Sequence, residues 1–294
     1  MKSSNTRLLY LFISPWLIGF FIFVAGPMLA SLYFSFTEFS GFGSPEWVGL
    51  KNYVTLFTDD PLFWKSLWTT FFYTIFSVPL GLIAGYLLAV LLNSKVKYMP
   101  LFRTIFYLPS IVPAVASSLL FILIFQPQYG IANAILEFFG LPTSKWLYSE
   151  MMAKPTLIIM SLWGVGGGMI IYLAGLQDIP QSLYEAAELD GAGPLQKFFK
   201  ITIPMTSNVI FFNLIMGIIG SFQIFTQAYI VSDGKGGPNN ATLFYVLYLY
   251  QNAFQYFKMG YASALAWILF IITVVFTFLV FRYIGRMVYY EVDD

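Results

Sequence analysis

Apolar residues along this chain fall into six long blocks, at approximately 9–33, 66–92, 104–125, 156–176, 205–231 and 261–282, separated by shorter polar stretches. A hydrocarbon core of roughly 30 Å takes about 20 residues of α-helix to cross, and each block meets that length. No acidic or basic residue lies in the interior of any block. Within lipid, every backbone polar group has to be satisfied inside its own segment, which favours helices. Membrane β-strands would instead alternate apolar and polar residues over roughly ten positions, and these blocks are continuous. The pattern predicts an all-α integral membrane protein with six transmembrane helices in a single domain, residues 1–294.

Local signals refine the blocks. Lys2 and Arg7 precede the first one, as in a secretory signal peptide. The apolar run from Leu8 to about Phe36 is too long for a signal core and carries no small-x-small cleavage site, so it reads as an uncleaved first span. Pro27, Pro79, Pro109 and Pro113 should each kink or start a helix. Gly164, Gly166, Gly167 and Gly168 have two readings: close helix packing, or a local break lining a cavity. Residues 37–65, 126–155 and 232–251 read as loops, with a short amphipathic helix over 131–139 and a turn at Ser232–Pro238. The aromatic run Phe244, Tyr245, Tyr248, Tyr250, Phe254, Tyr256 and Phe257 reads either as an interfacial belt or as a surface facing a substrate-binding protein.

Composition narrows the class. The chain is 59% hydrophobic and 10% charged, against roughly 25% charge in soluble domains. A net charge of +1 leaves no electrostatic footprint for nucleic acid. With no cysteine and no histidine, the chain has no disulfide, no thiol chemistry and no histidine proton relay. Lysines and arginines set the orientation, because they accumulate in cytoplasmic loops. One side holds Lys2, Arg7, Lys95, Lys97, Arg103, Lys197, Lys200, Arg282 and Arg286; the other holds Lys51, Lys65, Lys145, Lys154, Lys235 and Lys258. Both termini are therefore expected in the cytoplasm, together with the 177–204 loop.

That loop is unlike the other basic side. It carries Asp178, Glu185, Glu188 and Asp190 against Lys197 and Lys200. Asp178 with Gln181 three residues later fits a capping box, and Pro180 fits a first turn. Glu185–Glu188 favours helix, Gly191 suits a left-handed C-cap, and Pro194 can start a second short helix bearing Phe198 and Phe199. The expected form is a compact helix–turn–helix knob.

The spacing Glu185-Ala186-Ala187, Gly191, Ile201 and Pro204 resembles the signature loop of binding-protein-dependent ABC importer permeases, with Ile203 in place of the leucine. Leu183-Tyr184 and Asp190-Gly191-Ala192-Gly193-Pro194 extend the match. Ser14-Pro15-Trp16, Gly49-Leu50-Lys51-Asn52-Tyr53 and Gly236-Gly237-Pro238 look like the carbohydrate-uptake branch, similar to maltose-transporter F subunits rather than their G-type companions. The resemblance implies a type I importer permease fold in a bacterial inner or plasma membrane. It implies a heterodimer with a G-type permease, two ATPase subunits that bind ATP and Mg, and an extracytoplasmic binding protein, with no cofactor on this chain. Glu185, Ala186, Ala187, Glu188, Asp190, Gly191, Ile201 and Pro204 would then form the ATPase-docking loop. The large outer domain of the maltose F subunit has no counterpart here, so its contacts do not carry over.

The chain has no Walker A pattern and no catalytic constellation within the spans, so ATP chemistry has to come from partners. Uncharged spans speak against a secondary carrier built on acidic relays. They suit a neutral, polyhydroxylated cargo; a glycerophosphate would call for a basic residue in the cavity. Ser161 and Trp163 in the fourth span, and Phe222, Gln223, Thr226 and Gln227 in the fifth, are the candidate substrate pathway. Gln223 and Gln227 share one helical face at i, i+4, where an interhelical hydrogen bond is the alternative. For Trp163 and Phe222 the alternative is packing.

Overall fold

The computed structural model describes residues 2–94 and 96–289, with side chains from Tyr10 onward. Lys95 and the side chains of Lys2 and Arg7, which entered the orientation count, lie outside the described residues. The first predicted span falls on α1 (Lys2–Phe20) and α2 (Gly26–Ser35), joined by a π-turn at Phe21–Ala25. Pro27 follows closely on the π-turn, inside a helix that continues from Tyr10 to Ser35, and the widened turn accommodates a residue that has no N–H to donate. The 37–65 stretch is more than a loop: β1 (Thr37–Glu38) pairs antiparallel with β2 (Glu46–Trp47), and α3 (Lys51–Thr58) follows.

The second span is one unbroken helix, α4 (Pro61–Leu92), which runs straight through Pro79. The predicted third span is not a single helix. α5 (Met99–Ile111) and α6 (Ala114–Ile124) meet at 94°. Val112 is extended (ψ 129°) because the following Pro113 ring excludes it from helical geometry, and Pro113 then serves as the N-cap of α6.

After α7 (Ile131–Phe138), the fourth span is also bent. α8 (Glu150–Leu162) and α9 (Gly166–Gln177) meet at 49° across Trp163–Val165. The knob contains α10 (Gln181–Leu189), α11 (Pro194–Lys197), a π-turn at Phe198–Thr202 and α12 (Ile203–Met205). The fifth span is α13 (Ser207–Phe222) and α14 (Thr226–Val231), broken where Phe225 leaves helical geometry (φ −136°, ψ −61°). α15 (Tyr245–Tyr250) lies in the stretch expected to be loop, and α16 (Met259–Tyr283) is the sixth span. Four of these segments are long and apolar enough to cross a membrane, and six if each bent pair counts as one crossing.

The chain forms two compact units: residues up to Phe63 with Leu249–Ile271, and Trp64–Tyr248 with the rest. In the first, Asp60 caps the start of α4 through the N–H groups of Leu62 and Phe63, and accepts a hydrogen bond from the Tyr261 hydroxyl. A Cβ on Gly260 would overlap the Thr37 carbonyl oxygen, so the last span approaches the β1 backbone as only glycine allows.

In the second unit, small residues sit at the helix crossings, as expected where packing rather than water drives association. A side chain at Gly85 would press on Tyr172, at Gly175 on Val209 and at Gly217 on Val78, so α4, α9 and α13 are in mutual contact. A Cβ on Gly166 would overlap the Phe106 carbonyl oxygen, which fixes α9 against α5. At the loop-bearing end, Tyr86, Leu92, Met169, Tyr172 and Leu176 form a buried core, and Phe198, Ile203 and Val209 pack on it.

Candidate functional site: a surface knob and a neutral cavity

The knob is built by backbone geometry rather than by side-chain caps. Pro180 (ψ 128°) is the N-cap of α10, and no side chain caps it. The expected capping box is absent because the helix starts late: Pro180 is the N-cap, Asp178 lies two residues before it, and Gln181 is the first helical residue rather than the third. At the other end, the Ala192 N–H reaches Ala187 O at 2.8 Å and the Gly191 N–H reaches Glu188 O at 3.0 Å. With Gly191 at φ +77°, this is a Schellman turn. Pro194 opens α11, and Lys197 Nζ pairs with Glu188 Oε1 at 2.8 Å across the turn.

The knob's outer surface is exposed. Glu185, Ala186, Glu188, Asp190, Gly191 and Pro204 are exposed, while Ala187 and Ile201 are half-buried. Leu189 and Leu195 are 91% and 74% exposed. Acidic groups interleaved with bare leucines on a rigid knob make a surface suited to a protein partner.

A cavity of about 370 Å³ lies among α4, the bend of the fourth span, α13 and α14. Its polar wall is Tyr73, Tyr172, Ser77, Ser161, Asn213, Ser221 and Gln227, with no acidic or basic residue. Ser161 Oγ and Ser221 Oγ donate to Ile158 O and Ile218 O. Asn213 Nδ2 donates to Val209 O, and its carbonyl oxygen faces Gly168. The arrangement offers several neutral donors and acceptors and no counter-charge.

Two predicted residues, Ser161 and Gln227, line this cavity. The others do not. Phe222 is fully buried, edge-on to Phe71 and Phe276 at 5.2 and 5.8 Å. Trp163 is half-exposed and edge-on to Phe121, so packing is the reading that holds for both. Gln223 is exposed and closes α13, so it no longer shares a helical face with Gln227, which belongs to α14. Thr226 is half-buried at the start of α14, outside the cavity wall.

The glycine run answers to both of its readings. Gly166 is a packing contact, and Gly164 and Gly168 line the cavity at the bend. The aromatic run is not one belt: Phe244, Tyr245 and Tyr248 are buried, with Phe244 edge-on to Tyr73 and the Tyr245 N–H donated to Thr70 Oγ1, whereas Phe254, Tyr256 and Phe257 are exposed. Tyr73, Ser77, Asn213 and Ser221 escaped the sequence reading. Tyr73 with Ser77 at i, i+4, and Asn213 with Gly217, Gly220 and Ser221 at helical spacing, carried the signal.

Comparison with known proteins places the chain. The family model described as "Binding-protein-dependent transport system inner membrane component" matches residues 77–288. The probable ABC transporter permease protein YesP of Bacillus subtilis (strain 168) is 46% identical over 284 residues, 96% of this chain and 92% of that protein. The arabinooligosaccharides transport system permease protein AraP of the same organism is 34% identical over 269 residues, 90% of this chain and 85% of that protein. The sn-glycerol-3-phosphate transport system permease protein UgpA of Escherichia coli (strain UTI89 / UPEC) is 31% identical over 286 residues, 96% of this chain and 95% of that protein. A chain in the crystal structure of a bacterial alginate ABC transporter, in complex with its alginate pentasaccharide-bound periplasmic protein, superposes with a TM-score of 0.84 over 98% of both chains at 24% identity; it shows the same fold. This chain belongs to the inner-membrane components of binding-protein-dependent transport systems: it is a multi-pass permease subunit of an ABC importer, a transporter part and not an enzyme.

Proposed function

We propose that this permease imports a neutral sugar or short oligosaccharide through the cavity between α4 and α13. The observation that carries the reading is the cavity wall, which combines two tyrosines, three serines and two carboxamides with no charged side chain. Sugar hydroxyls need several donors and acceptors and no counter-ion. A glycerophosphate would bring two negative charges to a wall that offers no basic side chain to pair with them. The relative UgpA keeps that second reading in play, and AraP favours the first. A volume of about 370 Å³ suits a small saccharide.

The 177–204 knob is the docking surface for an ATPase subunit, with Glu185 as polar anchor and the exposed Leu189 beside it. This reading puts the knob and both termini in the cytoplasm, in line with the lysine and arginine bias. ATP and Mg act on two partner ATPase subunits, and an extracytoplasmic binding protein delivers the cargo. A second, G-type permease subunit completes the pathway. The bareness of the first span supports such a neighbour: its 18-residue apolar window contains no buried residue among those described.

The test is ATP hydrolysis by the reconstituted complex with its binding protein, challenged in parallel with lactose, an arabinooligosaccharide and sn-glycerol 3-phosphate. Stimulation by a neutral saccharide is expected; stimulation by the phosphate ester alone would overturn the assignment.

A further inference from the structure

Between the knob and the cavity runs a short chain of buried hydroxyls. Thr206 is fully buried at the start of α13, and its Oγ1 donates to Thr202 O at 2.7 Å. That uses its single proton, so the Tyr86 hydroxyl, 2.7 Å away, is the donor to Thr206 Oγ1. Tyr86 is buried in the middle of the loop-end core, on α4. One turn back, Thr202 Oγ1 lies 2.9 Å from the hydroxyl of Tyr184, which sits on α10 immediately before Glu185. At the other end of the chain, the Tyr86 ring stands edge-on to Tyr172 at 5.4 Å, and Tyr172 is part of the cavity wall. Tyr184, Thr202, Thr206, Tyr86 and Tyr172 thus connect the helix beside the exposed acidic surface to the cavity through direct contacts, with no loop in between.

We propose that this hydroxyl chain ties the α10 knob to the cavity wall so that the two move as one piece, with Tyr86 and Thr206 acting as positioning residues for transport. The inference rests on the docking reading of the knob. Its physical basis is stiffness. Beyond the Gly191 turn, α10 is joined to α11 by the Glu188–Lys197 pair, whose carboxylate is open to solvent, and such pairs hold geometry weakly. The π-turn at Phe198–Thr202 is a further place where displacement could be absorbed. The Tyr184–Thr202 and Thr206–Thr202 bonds pin that turn from both sides, and Tyr86 anchors it to α4. The buried Tyr86–Thr206 pair serves this purpose well, because neither member has water to turn to when the other moves away.

The chain's lack of cysteine allows a direct test. Gly220→Cys places a single thiol in the cavity wall, at a position with open space for a side chain. The complete importer is purified through a tag on this chain. The maleimide labelling rate is then compared without nucleotide and with ATP plus vanadate, which needs no knowledge of the cargo. Tyr86→Phe removes the hydroxyl and keeps the ring against Tyr172; Thr206→Val removes the acceptor; Thr206→Ser restores it. The expected result is a nucleotide-dependent change in labelling that falls about fivefold or more in Tyr86→Phe and in Thr206→Val. The Thr206→Ser variant should keep the change, and the double variant should be no worse than either single one. ATPase subunits should co-purify in all four. A full nucleotide response in both Tyr86→Phe and Thr206→Val, or independent additive losses, would overturn the tie. Glu185→Ala tests the docking reading separately: retention of the ATPase subunits there would sink that reading whatever the relay variants do.

Discussion

Gly191 offers the cleanest perturbation of the knob. Its φ is +77°, yet a Cβ built on it meets nothing within 4 Å, so a substitution is felt through the backbone alone. An L-residue in the left-handed region costs about 1–2 kcal/mol, with asparagine cheaper and β-branched residues dearer. Proline costs about 3 kcal/mol or more, since its φ is locked near −65° and it deletes an N–H; here that N–H is the one bonded to Glu188 O. The fraction of knobs in docking geometry falls by the corresponding Boltzmann factor, and the apparent affinity for the motor falls with it. The expected weakening is slight for Gly191→Asn, about five- to thirtyfold for Gly191→Ala, larger for Gly191→Val, and about 150-fold or more for Gly191→Pro. The assay is the amount of ATPase subunit retained when the tagged permease is purified at rising dilution. Membrane insertion, read as permease yield, should stay constant across the series. Equal retention in the asparagine and proline variants, or a ranking that follows side-chain size, would refute the argument that the left-handed turn builds the docking surface.

Other consequences follow from the same geometry. Gly166→Ala should lower the midpoint of thermal aggregation of the detergent-solubilised protein, since its Cβ overlaps the Phe106 carbonyl and overpacking costs about 1–3 kcal/mol; Gly164→Ala, whose nearest neighbour is Ser161 O at 4.0 Å, should not. Gln227→Ala and Asn213→Leu should each reduce cargo-stimulated ATP hydrolysis by about tenfold, the loss of one or two hydrogen bonds to the cargo, with basal hydrolysis retained. Gln223→Ala should leave the same assay unchanged, because that side chain is exposed outside the cavity.

The sequence and the structure part at identifiable places. Block length and the absence of charge were enough to locate the four long apolar helices and the two bent pairs, since a bilayer imposes both requirements directly. The knob was legible through residues whose backbone role is intrinsic, Gly191 in a left-handed turn and Pro194 at a first helical position. Its start was not: Asp178 satisfies a capping pattern on paper, but the chain uses Pro180's extended ψ instead. The bend at Val112 was implicit in the Pro113 rule, while its 94° magnitude belongs to tertiary packing. The cavity was legible only in half. Gln227 stood out as an amide in an apolar run, and so did Gln223, and no local signal marks the break at Phe225 that separates them. Tyr73 and Ser77 were hidden because serines and tyrosines are common in membrane helices and gain meaning only when three helices bring them to one wall.

The central claim is that the 177–204 knob faces the cytoplasm and seats on a separate ATPase subunit. Leu189→Cys, 91% exposed at the tip of α10 in a chain with no other thiol, tests it in native membranes. A short bifunctional maleimide–photoprobe attached there should cross-link this permease to a nucleotide-binding subunit, and a membrane-impermeant maleimide applied to intact cells should leave the thiol unlabelled. Labelling of that cysteine from outside intact cells, or cross-linking to the binding protein instead of a nucleotide-binding subunit, would contradict the account.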